Sequence, residues 1–315
     1  GKSRIIYLDR QYIAIQEVII RNVQPLALIK MSLDKVDDNY IDKPVILNAF
    51  YREAVKKNNA YVLYSEALID INSTGYVNSI YGDQVRLRKS RKIVDYENYD
   101  TVLLKLKAGV NSSLMLDFMK HPISFISPDH FTKYYYNITD ISNYNKQLVY
   151  VVKFEQYSFI PEPYYEGEIY IDVNSLAIIG ADFSININRI NKAAPLFVVK
   201  KTRKVDVRPV YAKYKVEYKE INGKYYLNYV RGDLKLKVKN KEKFFATTFE
   251  TFIELAVNEI DTANTKRFQN KELLRTTDIF FDNISNYSDD FWENYNFIPP
   301  EESIEEAIRR IQSNP

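Results

Sequence analysis

The sequence predicts a mainly β fold with a few helices, an α+β chain organised on one large antiparallel sheet. Three observations predict it. Tyrosine and phenylalanine number 27 and 17 in 315 residues, against 8 glycines, and aromatic and β-branched side chains suit a half-buried pleated surface. Apolar residues alternate with polar ones over long runs, the period-two signature of a sheet with one buried side. Between two such runs stands Asn222-Gly223, which supplies the two positive φ angles of a type I′ hairpin turn.

The elements follow in order. Ile5-Ile6-Tyr7-Leu8 and Val18-Ile19-Ile20 read as the last strands of an upstream β-sandwich, so residues 1–22 are expected to be the remnant of a preceding domain. The period then changes. Leu26, Ile29, Leu33 and Val36 share a helical face and Pro25 suits a first turn, which predicts a helix over 24–37. From residue 43 the pattern is strand-like. Tyr61, Leu63, Ala67, Ile69 and Ile71 share one face, and so do Leu148, Tyr150, Val152 and Phe154. Gly167, Ile169, Ile171 and Val173 lead through an Asn174-Ser175 turn to Ala177, Ile179, Ala181, Phe183 and Ile185. Around Asn222-Gly223, Ala212, Tyr214, Val216 and Tyr218 precede the turn and Leu234, Leu236 and Val238 follow it. The phase slips between Leu227/Tyr229 and Leu234/Leu236, and Gly232 in that interval predicts a bulge near it. A last strand over 244–257 places Phe245, Phe249, Ile253, Leu255 and Val257 together. Ser112-Ser113 predicts a capped short helix over Leu114 to Met119, inserted after Leu106. Pro299-Pro300-Glu301-Glu302-Ser303 predicts a C-terminal helix with Ile304, Ile308 and Ile311 on one face. Residues 23–260 then form the sheet domain, and 261–315 form an irregular strap and helix packed on it.

Composition narrows the function. Basic and acidic residues number 44 and 41, net charge +3, without the basic excess of a nucleic-acid protein. Cysteine is absent, which removes disulfides, thiolate metal sites and a cysteine nucleophile. No apolar run reaches the length of a membrane-spanning helix. His121 and His130 lack metal-ligand spacing. Neither a Gly-x-Ser-x-Gly elbow nor a phosphate-binding glycine loop occurs. Glu166 and Glu168 alternate with Gly167 and Ile169, which explains them as the solvated side of a strand, and Lys200-Lys201-Thr202-Arg203-Lys204 reads as a solvated turn more readily than a phosphate site. No catalytic residue, metal or cofactor is expected, and an unrecognised hydrolase is a remote alternative.

Several segments carry a family resemblance: Asn48-Ala49-Phe50-Tyr51-Arg52-Glu53, Ser65-Glu66-Ala67, Lys89-Ser90-Arg91-Lys92 within 83–95, Gly167-Glu168-Ile169-Tyr170-Ile171-Asp172, Gly223 through Arg231, Asp290-Phe291-Trp292 and Glu301-Glu302-Ser303-Ile304. Over most of residues 17–312 the chain resembles the Gram-negative envelope proteins called carboxypeptidase-like regulatory domain-containing, in which a small β-sandwich precedes a β-rich region of unassigned function. The resemblance implies export to the periplasm or outer membrane, near nutrient-uptake receptors, and no peptidase activity. The order of elements is also similar to the lipoprotein-carrier fold, in which a curved half-barrel wraps an apolar cavity plugged by helices. That resemblance implies a large curved antiparallel sheet, a half-barrel with an N-terminal amphipathic helix, a short inserted helix and a C-terminal helix.

The first expectation for function is a non-enzymatic binding module that holds an apolar or lipid-like ligand on the concave face. Leu114, Leu116 and Phe118 would plug it, and Tyr150, Phe154, Ile169, Ile171, Phe183, Tyr214 and Phe249 would line it. The alternative is a protein-interaction scaffold in an outer-membrane assembly, with Phe291, Trp292 and Tyr295 as the partner-binding rings.

Overall fold

The computed structural model describes residues 23–77, 81–95, 104–106, 109–201, 203–274 and 280–284, with Arg309. The expected remnant at 1–22, the C-terminal helix apart from Arg309, and Phe291, Trp292 and Tyr295 lie outside the described residues.

The chain opens with helices α1 (Pro25–Asp34) and α2 (Val36–Asn39), followed by strands β1 (Val45–Lys57), β2 (Ala60–Ser73), β3 (Gln84–Val94) and β4 (Leu104–Leu106). Helix α3 (Val110–Met115) and a 3-10 turn at Pro128–Lys133 lead into β5 (Tyr134–Tyr144), β6 (Gln147–Gln156), β7 (Tyr165–Asp172) and β8 (Ile178–Ile185). A 3-10 turn at Ile190–Ala193, helix α4 (Ala194–Phe197) and β9 (Val198–Lys201) precede the three longest strands, β10 (Val205–Ile221), β11 (Lys224–Asn240) and β12 (Thr247–Asp261).

Ten strands form one open, curved antiparallel sheet in the order β3-β2-β1-β12-β11-β10-β8-β7-β6-β5, and β4 pairs with β9 in a separate two-stranded sheet. The first and last of the described strands therefore meet inside the sheet, as its third and fourth strands, joined from Ile46↔Asp261 to Lys57↔Phe249. The two edges are β3 and β5. In a flat sheet these edges would stand about 43 Å apart at roughly 4.8 Å per strand spacing. The described stretch that leads into β5, Gly109–Lys133, lies over the concave face. Its Val110, Leu114, Phe118, Phe125, Ile126 and Phe131 belong to the same buried cluster as the inward residues of β1, β2, β6, β7, β8, β11 and β12.

Much of the periodicity lands where the sequence puts it. Asn222 and Gly223 have φ of 52° and 78°, and Ile221 pairs with Lys224 across the turn. The turn after β7 is fixed by Asp172, whose carboxylate accepts from the backbone N–H of Asn174 and Ser175 at 3.0 and 2.7 Å. Gly167 is required by packing, because a Cβ there would stand 2.2 Å from the Asp182 carbonyl oxygen on the neighbouring β8.

Several expectations are corrected. The first helix breaks at Lys35, whose N–H closes back onto Ser32 at 3.3 Å, so the predicted single helix is α1 and α2. Its buried stripe centres on Leu28 and Ile29, with Leu26, Leu33 and Val36 half-buried against the core, because the helix lies against the edge strand β5. Gly109, φ 100°, begins α3, and Ser112 and Ser113 lie inside it rather than capping it. The long hairpin has one bulge in β10, at Val210, and one in β11, which falls at Asn228: Glu217 pairs with Tyr229 and Tyr218 with Leu227, while Gly232 stays in register opposite Tyr214. An extra residue at 228 moves the inward set from Tyr225 and Leu227 to Val230, Leu234 and Leu236. Tyr61 leaves the face of Leu63 because the register shifts between Val55 and Lys56, and its ring instead meets the Lys56 ammonium 4.3 Å from the centroid. Ile179 lies in the register shift of β7 and β8 and so stands out of step with Ala181 and Phe183. Phe245 precedes β12 and is exposed.

Candidate functional site

The concave face is lined by alternating residues whose partners are set by register. Val152 stands opposite Ile169, Phe154 opposite Gly167, Ile169 opposite Ala181, and Phe183 opposite Tyr214. Of the residues expected to bind a ligand, Leu114, Phe118, Phe154, Ile169, Ile171 and Phe183 are buried in one cluster, and Leu116, Tyr150 and Tyr214 pack half-buried against it. Phe249 departs from them. It packs on a second cluster formed by the far ends of β10 and β11 with Ile190 and Phe197.

The structure brings this set together and also fills the space before it. Phe125 stacks on Phe154 with centroids 4.2 Å apart and planes 18° from parallel, and lies 5.0 Å from Phe183. Phe118 sits 5.7 Å from Phe125 and meets Tyr218 edge-on at 5.5 Å. Offset and edge-to-face rings at these distances are favourable beyond the area they bury. Phe118 and Phe125 occupy the face between β6, β8 and β10.

The covering segment is held in an unusual way. Its described backbone hydrogen bonds over 109–130 run between residues three or four apart, such as His121 to Asp117, Ile126 to Ile123 and His130 to Ser127. Side chains join it to the sheet. Asp117, buried, accepts from the Tyr76 and Tyr218 hydroxyls at 3.0 and 2.9 Å, and the Met119 N–H donates to the Tyr218 oxygen at 3.1 Å. Lys120 bridges Asp83 at 3.0 Å and the Ser73 hydroxyl at 2.7 Å. The Tyr136 hydroxyl donates to the Phe125 carbonyl at 2.9 Å. Burial pushes the Asp117 carboxyl up from its ordinary value, while Lys120 beside it pulls it down. Burial also holds the Tyr76 and Tyr218 phenols well above their usual range, so both remain donors. Sequence reasoning missed this knot, although a lone carboxylate inside Leu114-Met115-Leu116-Asp117-Phe118-Met119 is a readable signal: a charge in an apolar run is buried only with partners.

A second buried carboxyl lies on the same face. Glu53 accepts from the Tyr51 hydroxyl at 2.7 Å, and burial pushes its pKa from 4.5 up to about 7. Unfolded, Glu53 loses its proton near 4.5; folded, it keeps it to about 7. Between those values the native state binds more protons than the unfolded chain, so Glu53 lowers stability as pH rises through this window and has no further effect above it. A rise of this size is worth about 3 kcal/mol. Glu53→Gln is therefore expected to match the wild type in urea denaturation at pH 4 and to exceed it at pH 8 by up to about 3 kcal/mol. Equal stabilities at pH 8 would show that the carboxyl is not held neutral.

The outward face has a different character. Two open grooves of about 380 and 390 Å³ lie there, lined mainly by residues such as Glu166, Asp182, Lys213, Lys215, Glu217 and Arg231. Glu166 and Glu168 face outward as expected, with Asn186 donating to Glu166 at 2.9 Å. His121 and His130 are separate in their loops, and no group of three or more His, Asp or Glu that could hold a metal occurs among the described residues. No helix among them is long and apolar enough to cross a membrane.

No family model matches the chain and no curated protein does, so the envelope-family resemblance stands on its quoted residues alone. Solved structures align with the chain at low similarity. A lipovitellin structure described for its lipid–protein interactions superposes with a TM-score of 0.34 at 8% identity, over 73% of this chain and 26% of that one. The chain thus spans about a quarter of that molecule. A DUF1329 family protein from Desulfovibrio piger gives 0.31 at 12% identity, over 80% of this chain and 100% of the other. An outer membrane lipoprotein-sorting protein domain from Vibrio parahaemolyticus gives 0.30 at 10% identity, over 77% and 94%. At this level of similarity none of them bears on what this chain binds.

Proposed function

We propose that the chain is a non-enzymatic binding module whose concave face takes a long apolar ligand, such as a lipid acyl chain, when the segment Gly109–Lys133 swings off the sheet. The observation that carries the reading is the mode of attachment. An apolar, aromatic face is covered by a segment whose backbone hydrogen bonds over 109–130 are local and whose ties to the sheet there run through side chains, the Tyr157 N–H to Lys133 carbonyl bond of 3.0 Å lying at its junction with β5. Such a cover can leave without breaking a strand ladder, and the face it exposes is apolar with a few polar groups at one end, the usual make-up of a ligand site. The Asp117, Tyr76, Tyr218 and Lys120 knot acts as the catch that sets how readily it leaves. The envelope-family resemblance favours the periplasm or outer membrane as the place of action.

The test is a titration of delipidated protein with a fluorescent long-chain fatty acid. Saturable binding is expected in the wild type, and Tyr218→Phe, which removes one donor to Asp117, is expected to strengthen it several-fold because a net hydrogen bond is worth about 1 kcal/mol. Absence of saturable binding in both proteins would count against the reading.

A further inference from the structure

Most of the large apolar side chains exposed among the described residues project from one end of the main sheet. Three registers define that end. Tyr134 pairs with Gln156, Glu155 with Glu166, and Tyr165 with Ile185, so β5 and β7 begin there and β6 and β8 finish there. Beyond it, β10 and β11 run on together, because β8 meets β10 only from Lys213 onward while β10 begins at Val205. The extension is roughly 25 Å long at 3.3 Å per residue. The turn 241–246, between β11 and β12, caps it, with the Lys241 N–H bonded to the Lys204 carbonyl at 2.9 Å.

At this end Phe244 and Phe245 are 93% and 85% exposed, and Phe159 is 73% exposed. The Phe159 and Tyr157 rings stack 5.3 Å apart. Ile187 and Leu196 are exposed between these two groups in sequence and topology. The loop carrying Phe159 is braced: Arg189 donates to the Ser158 and Ile160 carbonyls at 2.8 and 3.1 Å, and Lys192 to the Pro161 carbonyl at 2.8 Å. The charge at this end is one-sided. Segments 203–208 and 237–246 together hold seven Lys or Arg and two acids, Asp206 and Glu242, in a chain whose whole net charge is only +3. Arg203 and Lys204, the end of the basic run that the binding site does not use, belong here.

We infer that this end is a docking surface for an anionic phospholipid bilayer, with Phe244 and Phe245 entering the headgroup–acyl boundary and the surrounding lysines meeting the phosphates. Charge complementarity selects this occupant. Exposed rings set among cations, on a protein otherwise close to neutral, are the pattern of interfacial binding, in which apolar insertion and attraction to anionic lipid add.

Co-sedimentation of the full chain with vesicles tests this. Vesicles containing phosphatidylglycerol are expected to bind the protein, vesicles of phosphatidylcholine alone to bind it weakly, and added salt to release it. Phe244→Ser with Phe245→Ser, and separately Lys241→Glu with Lys243→Glu, are each expected to lower the apparent affinity about tenfold. All four side chains are exposed, so circular dichroism and fatty-acid binding should match the wild type, which separates failure here from failure of the binding-module reading. Absence of binding, equal binding to both vesicle types, insensitivity to both double variants, or closure of this end by dimerisation in sedimentation would each overturn the proposal.

Discussion

Arg52→Ala is expected to lower the unfolding free energy by about 3–5 kcal/mol, the usual consequence of removing one partner from a buried ionic network. Arg52 is 2% exposed and reaches Glu66 on β2 at 3.0 Å and Glu254 on β12 at 3.2 Å. Glu66, fully buried, also takes Arg91 of the edge strand β3 through its Nε and Nη2 at 2.8 and 2.6 Å, and accepts the Tyr64 hydroxyl. Glu254 takes the Tyr229 hydroxyl of β11 at 2.6 Å. One network thus crosses five neighbouring strands on the face opposite the candidate site, and in it Tyr64 and Glu66 of β2 are buried on that side. Without Arg52, two carboxylates stay desolvated with less compensation. Urea denaturation at pH 7 checks this. A loss below about 1 kcal/mol would mean that water reaches the carboxylates and screens them as it does on a surface. Should Arg52→Ala fail to fold, Arg52→Lys keeps the charge but not the planar fork, and is expected to show the same direction with a smaller loss.

Phe125→Ala is expected to destabilise by about 3–5 kcal/mol, the range for emptying a buried aromatic position. Phe125 is fully buried, stacked on Phe154 and packed against Phe118 and Phe183. The variant carries a second consequence specific to this site. The space left is walled by rings and aliphatic side chains, and a dry apolar cavity of that kind takes up small apolar molecules. Phe125→Ala should therefore bind the fluorescent fatty acid more tightly than the wild type although it is less stable. Loss of stability together with loss of binding would mean that Phe125 belongs to a permanent core instead of a cover.

How much of this was legible in the sequence depends on the range of the interaction. The period-two runs and Asn222-Gly223 report local geometry, so most strands and the long hairpin could be read from neighbouring residues. The inward faces of β6, β7 and β8 were also legible, since Phe154, Ile169 and Phe183 alternate with polar neighbours. Bulges were harder. The slip in β11 was visible, yet it was assigned to Gly232, the residue with unusual freedom, when the extra residue is Asn228, whose excess shows only against β10. The strand order lay out of reach, because nothing local says that β1 pairs with β12. Without it, β3 and β5 cannot be recognised as opposite edges, and the stretch before β5 cannot be seen to lie across the face it was expected to plug. The outward network was hidden for a related reason. Arg52, Glu66 and Glu254 occupy positions that alternation marks as solvated, and only five aligned strands turn them into a buried cluster. Asp117 was the one site residue with a local signature that went unused.

The central claim is that Gly109–Lys133 is a removable cover over an apolar site. Hydrogen exchange of the delipidated protein with and without the fatty acid tests it most directly, since exchange reports local opening segment by segment. The account predicts that ligand speeds exchange within 109–133 while β6, β7 and β8 keep or gain protection. Binding that leaves 109–133 unchanged, or a segment as protected as the central strands in a protein that takes no ligand, would contradict it.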